Sequence, residues 1–135
     1  MLILAPELYD RMIAHARTGL PNEACGLLGG EWSGEEKTVR ELYCLKNTDE
    51  SPEHFSMAPE EQFRALKDLR GKGLVLLGNF HSHPATPARP SAEDIRLAFD
   101  PSLSYVIISL EGPEPALKSF RIRGGAVLEE AVASG

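Results

Sequence analysis

The sequence predicts an α+β fold in which one mixed β-sheet is flanked by helices. Its 135 residues fit a single domain, spanning 1–135, and leave no room for a second. Segments with helical periodicity are mixed with segments typical of strands. The C-terminal part, from residue 104 onward, is rich in strand-like segments. These observations favour one sheet with helices beside it.

The first third of the chain predicts a strand, a helix and two further strands. "LILA" at residues 2–5 is a short apolar strand. A helix starts at Pro6 and ends at Gly19. Its apolar face is formed by Leu8, Met12, Ile13 and Ala16. "ACGLLGGEW" (24–32) predicts a buried strand, and the turn "SGEE" leads into the strand "KTVRELYCL" (37–45).

The middle of the chain begins with a polar, turn-rich segment at 46–53, and "HFSM" (54–57) after it suggests a short strand. "APEEQFRALKDLRGKG" (58–73) has a proline and two glutamates at its front and a glycine just past its end, which is the expected polarity of a helix. "LVLLGNFHSH" (74–83) is the most strand-like segment of all.

After a proline-rich loop, "SAEDIRLAFD" (91–100) predicts a helix that stops before Pro101. The remaining segments are typical of strands: "SYVIISL" (104–110), "ALKSFRI" (116–122) and "AVLEEAV" (126–132). The last two are joined at Arg123-Gly124-Gly125, which predicts a hairpin turn.

Composition and charge exclude several classes of protein. Fourteen Lys and Arg residues against twenty Asp and Glu give a net charge of −6, and no basic run is present to bind a nucleic-acid backbone. The N-terminus is apolar for only five residues before Pro6, so we expect neither a signal peptide nor a membrane-spanning segment. Cys25 and Cys44 lack CxxC spacing and are expected to be free thiols in a reducing cytoplasm.

Two histidines one residue apart stand at the end of the strand at 74–83. Side chains alternate along a strand, so His81 and His83 project from one face and Ser82 from the other. Two imidazoles on one face can bind a single metal ion. Alone, the pair is weak evidence, because two polar residues at a strand end give the same pattern.

The segment after the histidines adds a carboxylate and a stiff connection. Pro84, Pro87 and Pro90 recur at every third position, which favours an extended, polyproline-like path. "SAED" matches a helix capping box between Ser91 and Asp94, and that alone explains both residues. A fixed distance from strand end to helix start also suits a metal site with Asp94 as third ligand. Two imidazoles and a carboxylate are a common zinc set that leaves a fourth position open.

Glu23 is a candidate general base. Hydrolysis of an amide needs a group that takes a proton from the attacking water and passes it to the leaving amine. Glu23 opens an apolar strand, where a carboxylate is not expected for solubility. A lone glutamate at a strand end is more often an ordinary charge, so its assignment depends on the pattern as a whole.

Together these residues resemble the signature of the JAMM (MPN+) metalloprotease family. That signature is an upstream Glu, then His-Ser/Thr-His-Pro, then Ser-x-x-Asp separated from the second His by seven residues. Every position is matched here, as is the "PxExCGxLxG" shape around Glu23. The resemblance implies that His81, His83 and Asp94 bind Zn²⁺. It also implies that Glu23 is the general base, that Ser91 stabilises the oxyanion, and that the fold is similar to that of the cytidine deaminases.

The resemblance also implies a kind of partner. The chain is near the minimal length for the family, so the insertions of the members that cleave polyubiquitin are not expected. It resembles the stand-alone prokaryotic type, which is linked to small ubiquitin-like sulfur-carrier proteins. The expected reaction is hydrolysis of the amide bond after a C-terminal Gly-Gly, including release of an amino-acid adduct such as cysteine.

Other functions fit the sequence less well. A zinc deaminase needs HxE and PCxxC motifs, and the sequence has neither. A non-haem iron oxygenase also uses two histidines and a carboxylate, but the helices argue against its β-rich barrel. A non-catalytic binding module of the same fold stays open. We do not expect His15 or His54 to be ligands, and we expect Cys25 and Cys44 to be small core residues.

Overall fold

The computed structural model describes residues 1–135 and contains three helices and eight strands. The helices are α1 (Pro6–Thr18), α2 (Pro59–Gly71) and α3 (Ala92–Arg96). The strands are β1 (Leu2–Leu4), β2 (Cys25–Ser33), β3 (Glu36–Leu45), β4 (Val75–His83), β5 (Ser104–Ser109), β6 (Ala116–Arg123), β7 (Ala126–Glu130) and β8 (Val132–Ser134). They form one sheet in the order β7-β6-β5-β4-β2-β3-β1-β8. β4 is parallel to β5 and antiparallel to β2, so the predicted α+β class with one mixed sheet is confirmed.

The sheet curls so that its two ends meet. β7 and β8 lie at opposite ends of the strand order, yet only Ala131 separates them in the chain. β7 pairs with β6, whereas β8 pairs with β1. The prediction of one strand over 126–132 was therefore wrong, because the segment is interrupted at Ala131 and its two parts form the two edge strands of the sheet. The predicted hairpin before it is confirmed, since Gly124 and Gly125 both have positive φ and join β6 to β7.

The two faces of the sheet carry different helices. α1 buries Met12, Ile13 and Ala16, as predicted, in a cluster that includes Phe80, Val106 and Ile108. On the other face, Ile107 of β5 and Ile122 of β6 pack with Ile95 of α3, and Leu27 of β2 packs with Ala65 of α2. Because residues alternate along β4, Phe80 faces α1, whereas His81 and His83 face the side of α2 and α3.

Residues 54–57 do not form the predicted strand. Their backbone groups bond within the loop instead of with a neighbouring strand. Ser56 N donates to Asn47 Oδ1 at 3.2 Å, and Thr48 N donates to Ser56 O at 2.9 Å. The polar side chains of the preceding segment thus compete with sheet pairing for these groups.

α3 is shorter than the predicted helix at 91–100. It starts at the predicted cap, Ser91, but ends four residues before Asp100. Both backbone polar groups of Asp100 bond to the Tyr105 hydroxyl, at 3.2 and 2.9 Å, and its carboxylate accepts from Ser102 N at 2.9 Å. These bonds fix a turn that is incompatible with a further helical turn.

A buried lysine joins three strands at the end of the sheet away from the histidines. Lys37 of β3 is 1% exposed and donates to Leu77 O at 3.1 Å and to Ser104 Oγ at 2.9 Å. Ser104 in turn donates to Glu130 at 2.7 Å. Burial lowers the pKa of Lys37 to about 8. The network connects β3 to β4, β5 and β7 where the sheet closes.

The cysteine prediction was half right. Both thiols are free, and Cys25 is buried as expected, but Cys44 is exposed. None of the three helices combines the length and the apolar character needed to cross a bilayer.

Candidate metal centre

Three predicted ligand atoms meet at the end of β4. His81 Nε2 and His83 Nε2 each lie 3.1 Å from Asp94 Oδ2 and 3.2 Å from one another. His81 and His83 are 3% and 5% exposed, and Asp94 is half-buried. The structure therefore brings together two imidazole nitrogens and one carboxylate oxygen in a nearly equilateral triangle.

This triangle fits a tetrahedral metal ion. Zinc bonded to nitrogen or oxygen at about 2.0–2.1 Å has ligand atoms about 3.3–3.4 Å apart. The observed separations of 3.1–3.2 Å are close to that spacing. A set of two imidazoles and one carboxylate suits zinc, and three protein ligands leave one coordination position for water or substrate.

The proline-rich loop orients one of the imidazoles. His83 Nδ1 lies 2.9 Å from Pro87 O and donates to it, so in the neutral imidazole Nε2 carries the lone pair that a metal ion would need. The loop itself is anchored on β5, because Ser109 Oγ donates to Thr86 O at 2.7 Å and Leu110 N donates to His83 O at 3.1 Å. The stiff connection expected from the proline spacing thus also supplies a hydrogen-bond acceptor.

Asp94 is both a member of the helix capping box and the predicted third metal ligand. Asp94 N donates to Ser91 Oγ at 3.0 Å, and Ser91 N donates to Asp94 Oδ2 at 2.9 Å, which completes a capping box at the start of α3. The same Oδ2 atom faces both imidazoles. The two interpretations of Asp94 are therefore compatible, because the cap fixes the side chain that points at the histidines.

The charges at the triangle favour an ionised carboxylate. Burial by itself raises the pKa of Asp94, but hydrogen bonds from His81 and His83 outweigh it and hold that pKa well below its usual range. Burial likewise lowers the pKa of His83, and its bonds to Asp94 and Pro87 O raise it overall. Asp94 is therefore an anionic oxygen donor at this triangle.

Strand pairing places Glu23 beside the histidines. In the antiparallel pair of β2 and β4, Cys25 lies opposite His81, and Ser82 N donates to Ala24 O at 2.9 Å. Continuing this register places residue 23 opposite residue 83, with both side chains on the same face. Glu23 is 6% exposed, and its Oε1 atom has no hydrogen-bond partner. Burial raises the pKa of Glu23 to about 7.

An open cleft of about 1010 Å³ contains these groups. Glu23, His83 and Ser91 line it together with residues 52–54 and 84–86. The Ser91 hydroxyl accepts the Asp94 amide and is exposed, so its own proton is free to be donated into the cleft. All five predicted site residues therefore lie at one place, and the roles assigned to them stay predictions.

Three residues near the site were not predicted from the sequence. Phe55 stacks on the His81 ring with a centroid distance of 4.6 Å, and His54 Nδ1 lies 3.0 Å from Glu93 Oε1 at the rim of the cleft. Asn47 is buried beneath them. The turn-rich composition of 46–53 indicated a loop, but no local pattern showed that it folds over β4.

The sequence matches known proteins along most of its length. The family model described as prokaryotic homologs of the JAB domain matches residues 5–123. A CysO-cysteine peptidase of Mycobacterium tuberculosis is 36% identical over 133 residues, which cover 98% of this chain and 90% of that protein. A desampylase of Haloferax volcanii is 33% identical over 116 residues, which cover 82% of each protein.

Solved structures give the same result. The solution structure of protein DSY2949 from Desulfitobacterium hafniense has a TM-score of 0.93 and 60% identity, covering 100% of this chain and 93% of that one. The crystal structure of AF2198, a JAB1/MPN domain protein from Archaeoglobus fulgidus, has a TM-score of 0.62 and 25% identity, with 99% and 100% covered. The chain therefore belongs to the family of prokaryotic homologs of the JAB domain.

Proposed function

We propose that this protein is a zinc-dependent isopeptidase that hydrolyses the amide bond after the C-terminal Gly-Gly of a ubiquitin-like or sulfur-carrier protein. The observation that carries the proposal is the triangle of His81, His83 and Asp94 at the wall of a cleft that also contains Glu23. We infer a cytoplasmic location, because a reducing compartment keeps the two free thiols reduced.

The three ligand atoms would hold the metal through nitrogen and oxygen donors that zinc accepts. When bound, zinc polarises the scissile carbonyl and lowers the pKa of a coordinated water. Asp94 contributes the negative charge that partly balances the ion, and the Pro87 carbonyl keeps His83 in the tautomer that binds through Nε2.

Glu23 is the proposed general base. Its buried Oε1 atom has no partner within the protein, so it is available to accept a proton from the attacking water. Its pKa of about 7 is near neutral, where a carboxylate both accepts and returns a proton efficiently. The same group then delivers that proton to the leaving amine.

Ser91 is the proposed oxyanion donor. Its oxygen is held in place by the Asp94 amide, and its hydroxyl proton is free to point at the carbonyl oxygen that becomes negative during attack. Because Ser91 and Asp94 belong to one capping box, the donor and the third ligand are fixed relative to each other.

The names of the relatives and the shape of the cleft support the proposed substrate. The two relatives described above bear the names CysO-cysteine peptidase and desampylase. The cleft is open at the surface between residues 52–54 and 83–86, so a flexible tail can lie in it in an extended form. Glycines before the scissile bond let the backbone approach the ligand triangle without a Cβ atom in the way.

A carrier fusion tests the proposal. A ubiquitin-like sulfur carrier extended by one residue after Gly-Gly is compared with versions in which either glycine is replaced by Ala or Val. We expect a graded loss of cleavage, largest for Val directly before the cut, and zinc-dependent turnover that Glu23→Gln lowers by roughly 10²–10⁴-fold. Equal cleavage of all versions, or rapid cutting of unrelated peptides, would instead identify a general peptidase. Binding of the carrier without any zinc-dependent turnover would identify a binding module.

A further inference from the structure

The Asn47 side chain is a saturated hydrogen-bond hub beneath the cleft. Its Nδ2 group donates to Glu23 O at 3.0 Å and to His54 O at 2.9 Å. Its Oδ1 atom accepts from Asp49 N at 3.0 Å and from Ser56 N at 3.2 Å. The residue is only 9% exposed, and the amide uses both protons and both lone pairs.

The hub fixes the backbone of the proposed general base. Besides the bond from Asn47 to Glu23 O, Glu23 N donates to Ser51 O at 2.9 Å, so both backbone groups of residue 23 bond to the same loop. The Glu23 Oε1 atom is buried without a partner. The position of the carboxylate therefore depends on where the loop holds the backbone of residue 23.

The same loop also contacts the ligand triangle. Phe55, next to His54 in the loop, stacks on the His81 ring at 4.6 Å. His54 reaches Glu93, which precedes Asp94 in α3. The buried Asn47 amide thus connects the backbone of Glu23 to the loop whose Phe55 side chain covers the His81 ring.

We propose that Asn47 is a positioning residue of the reaction, which holds Glu23 and the loop at residues 47–56 in one fixed arrangement relative to His81. The proposal rests on the proposed function, because it assumes that Glu23 acts as the base. A general base works only within hydrogen-bond reach of the water, and a displacement of about 1 Å can lower a rate by about 10²-fold.

Asn47→Ala tests the proposal, with Thr48→Val as the matched control. Thr48 Oγ1 donates to Ser56 O at 3.1 Å, so the control removes one bond of the same loop and none to residue 23. With the zinc-loaded protein and the Gly-Gly-X carrier fusion, we expect Asn47→Ala to lower kcat by about 10–100-fold with little change in KM. Zinc affinity, measured by chelator competition, should stay unchanged.

A double mutant separates positioning from general destabilisation. If Asn47 acts through Glu23, then Asn47→Ala adds no further loss in the Glu23→Gln background. A purely structural role would lower the rate by the same factor in both backgrounds, and that result would overturn the proposal. A kcat for Asn47→Ala equal to that of Thr48→Val would overturn it as well.

Amide hydrogen exchange supplies a readout that needs no substrate. We expect the Glu23 amide to exchange at least about 10-fold faster in Asn47→Ala and at the wild-type rate in Thr48→Val. If Asn47→Ala does not fold, Asn47→Asp replaces it, because it keeps the acceptor for Asp49 N and Ser56 N and loses the bonds to Glu23 O and His54 O. If the wild-type protein does not cleave the fusion, the proposed function fails, and unchanged exchange at Glu23 would then refute the positioning role separately.

Discussion

Replacing the buried carboxylate of Glu23 should stabilise the metal-free protein, and more strongly at neutral or alkaline pH than at acidic pH. Glu23 is 6% exposed, and burial raises its pKa from 4.5 to about 7. A carboxyl group whose pKa is raised on folding favours the folded state below pH 4.5 and loses that contribution as the pH rises through 7. Ionised Glu23 therefore opposes folding, and Glu23→Gln removes this opposition.

The pKa shift of Glu23 sets the expected change in the free energy of unfolding. A change of one pKa unit corresponds to about 1.4 kcal/mol, so a shift from 4.5 to about 7 corresponds to about 3 kcal/mol once the group is ionised in both states. At pH 5 the unfolded chain is only partly ionised, and the same relation gives about 1 kcal/mol. The effect of Glu23→Gln on the free energy of unfolding should therefore differ by about 2–3 kcal/mol between pH 5 and pH 8.

Urea unfolding of the metal-free protein at both pH values measures this difference. Any constant cost of burying the glutamine amide cancels, because only the change with pH is compared. Glu31→Gln is the matched control, since it makes the same chemical change at a side chain that is 60% exposed. The reasoning is refuted if Glu23→Gln changes the free energy of unfolding equally at pH 5 and pH 8.

Three further predictions concern single side chains. Asp94→Ala should lose stoichiometric zinc, whereas Glu93→Gln should keep it; equal zinc by elemental analysis in Asp94→Ala and wild type would leave the residue only its capping role. Ser91→Ala should lower turnover by about 10²–10³-fold and stability by about 1 kcal/mol, and Ser91→Asn should lose the turnover but keep the cap; an active Ser91→Asn would remove the serine from the mechanism. Lys37→Met should lower the free energy of unfolding in urea by about 1–3 kcal/mol, because it leaves the buried acceptors Leu77 O and Ser104 Oγ without their donor, whereas the exposed Lys67→Met should not; equal midpoints would contradict this.

Much of the site was predictable because it is encoded locally. The alternation of β4 fixes the common face of His81 and His83, and the capping box fixes Ser91 against Asp94 within one turn of helix. The proline spacing predicts the stiff connection between them. Each of these features depends on residues only a few positions apart, whose geometry the backbone dictates.

Local patterns in the sequence thus predicted the α+β class, the signature residues and the local geometry of the ligands. The pairing of β2 with β4, which brings Glu23 to histidines almost 60 positions away in the chain, became visible in the folded protein alone. The same is true of the loop at 47–56 that folds onto His81, of the burial of Lys37, and of the segment at 126–132 that forms both edge strands of the sheet. Pairing between distant strands depends on the sum of many weak contacts over the whole core, and no local pattern carries that sum.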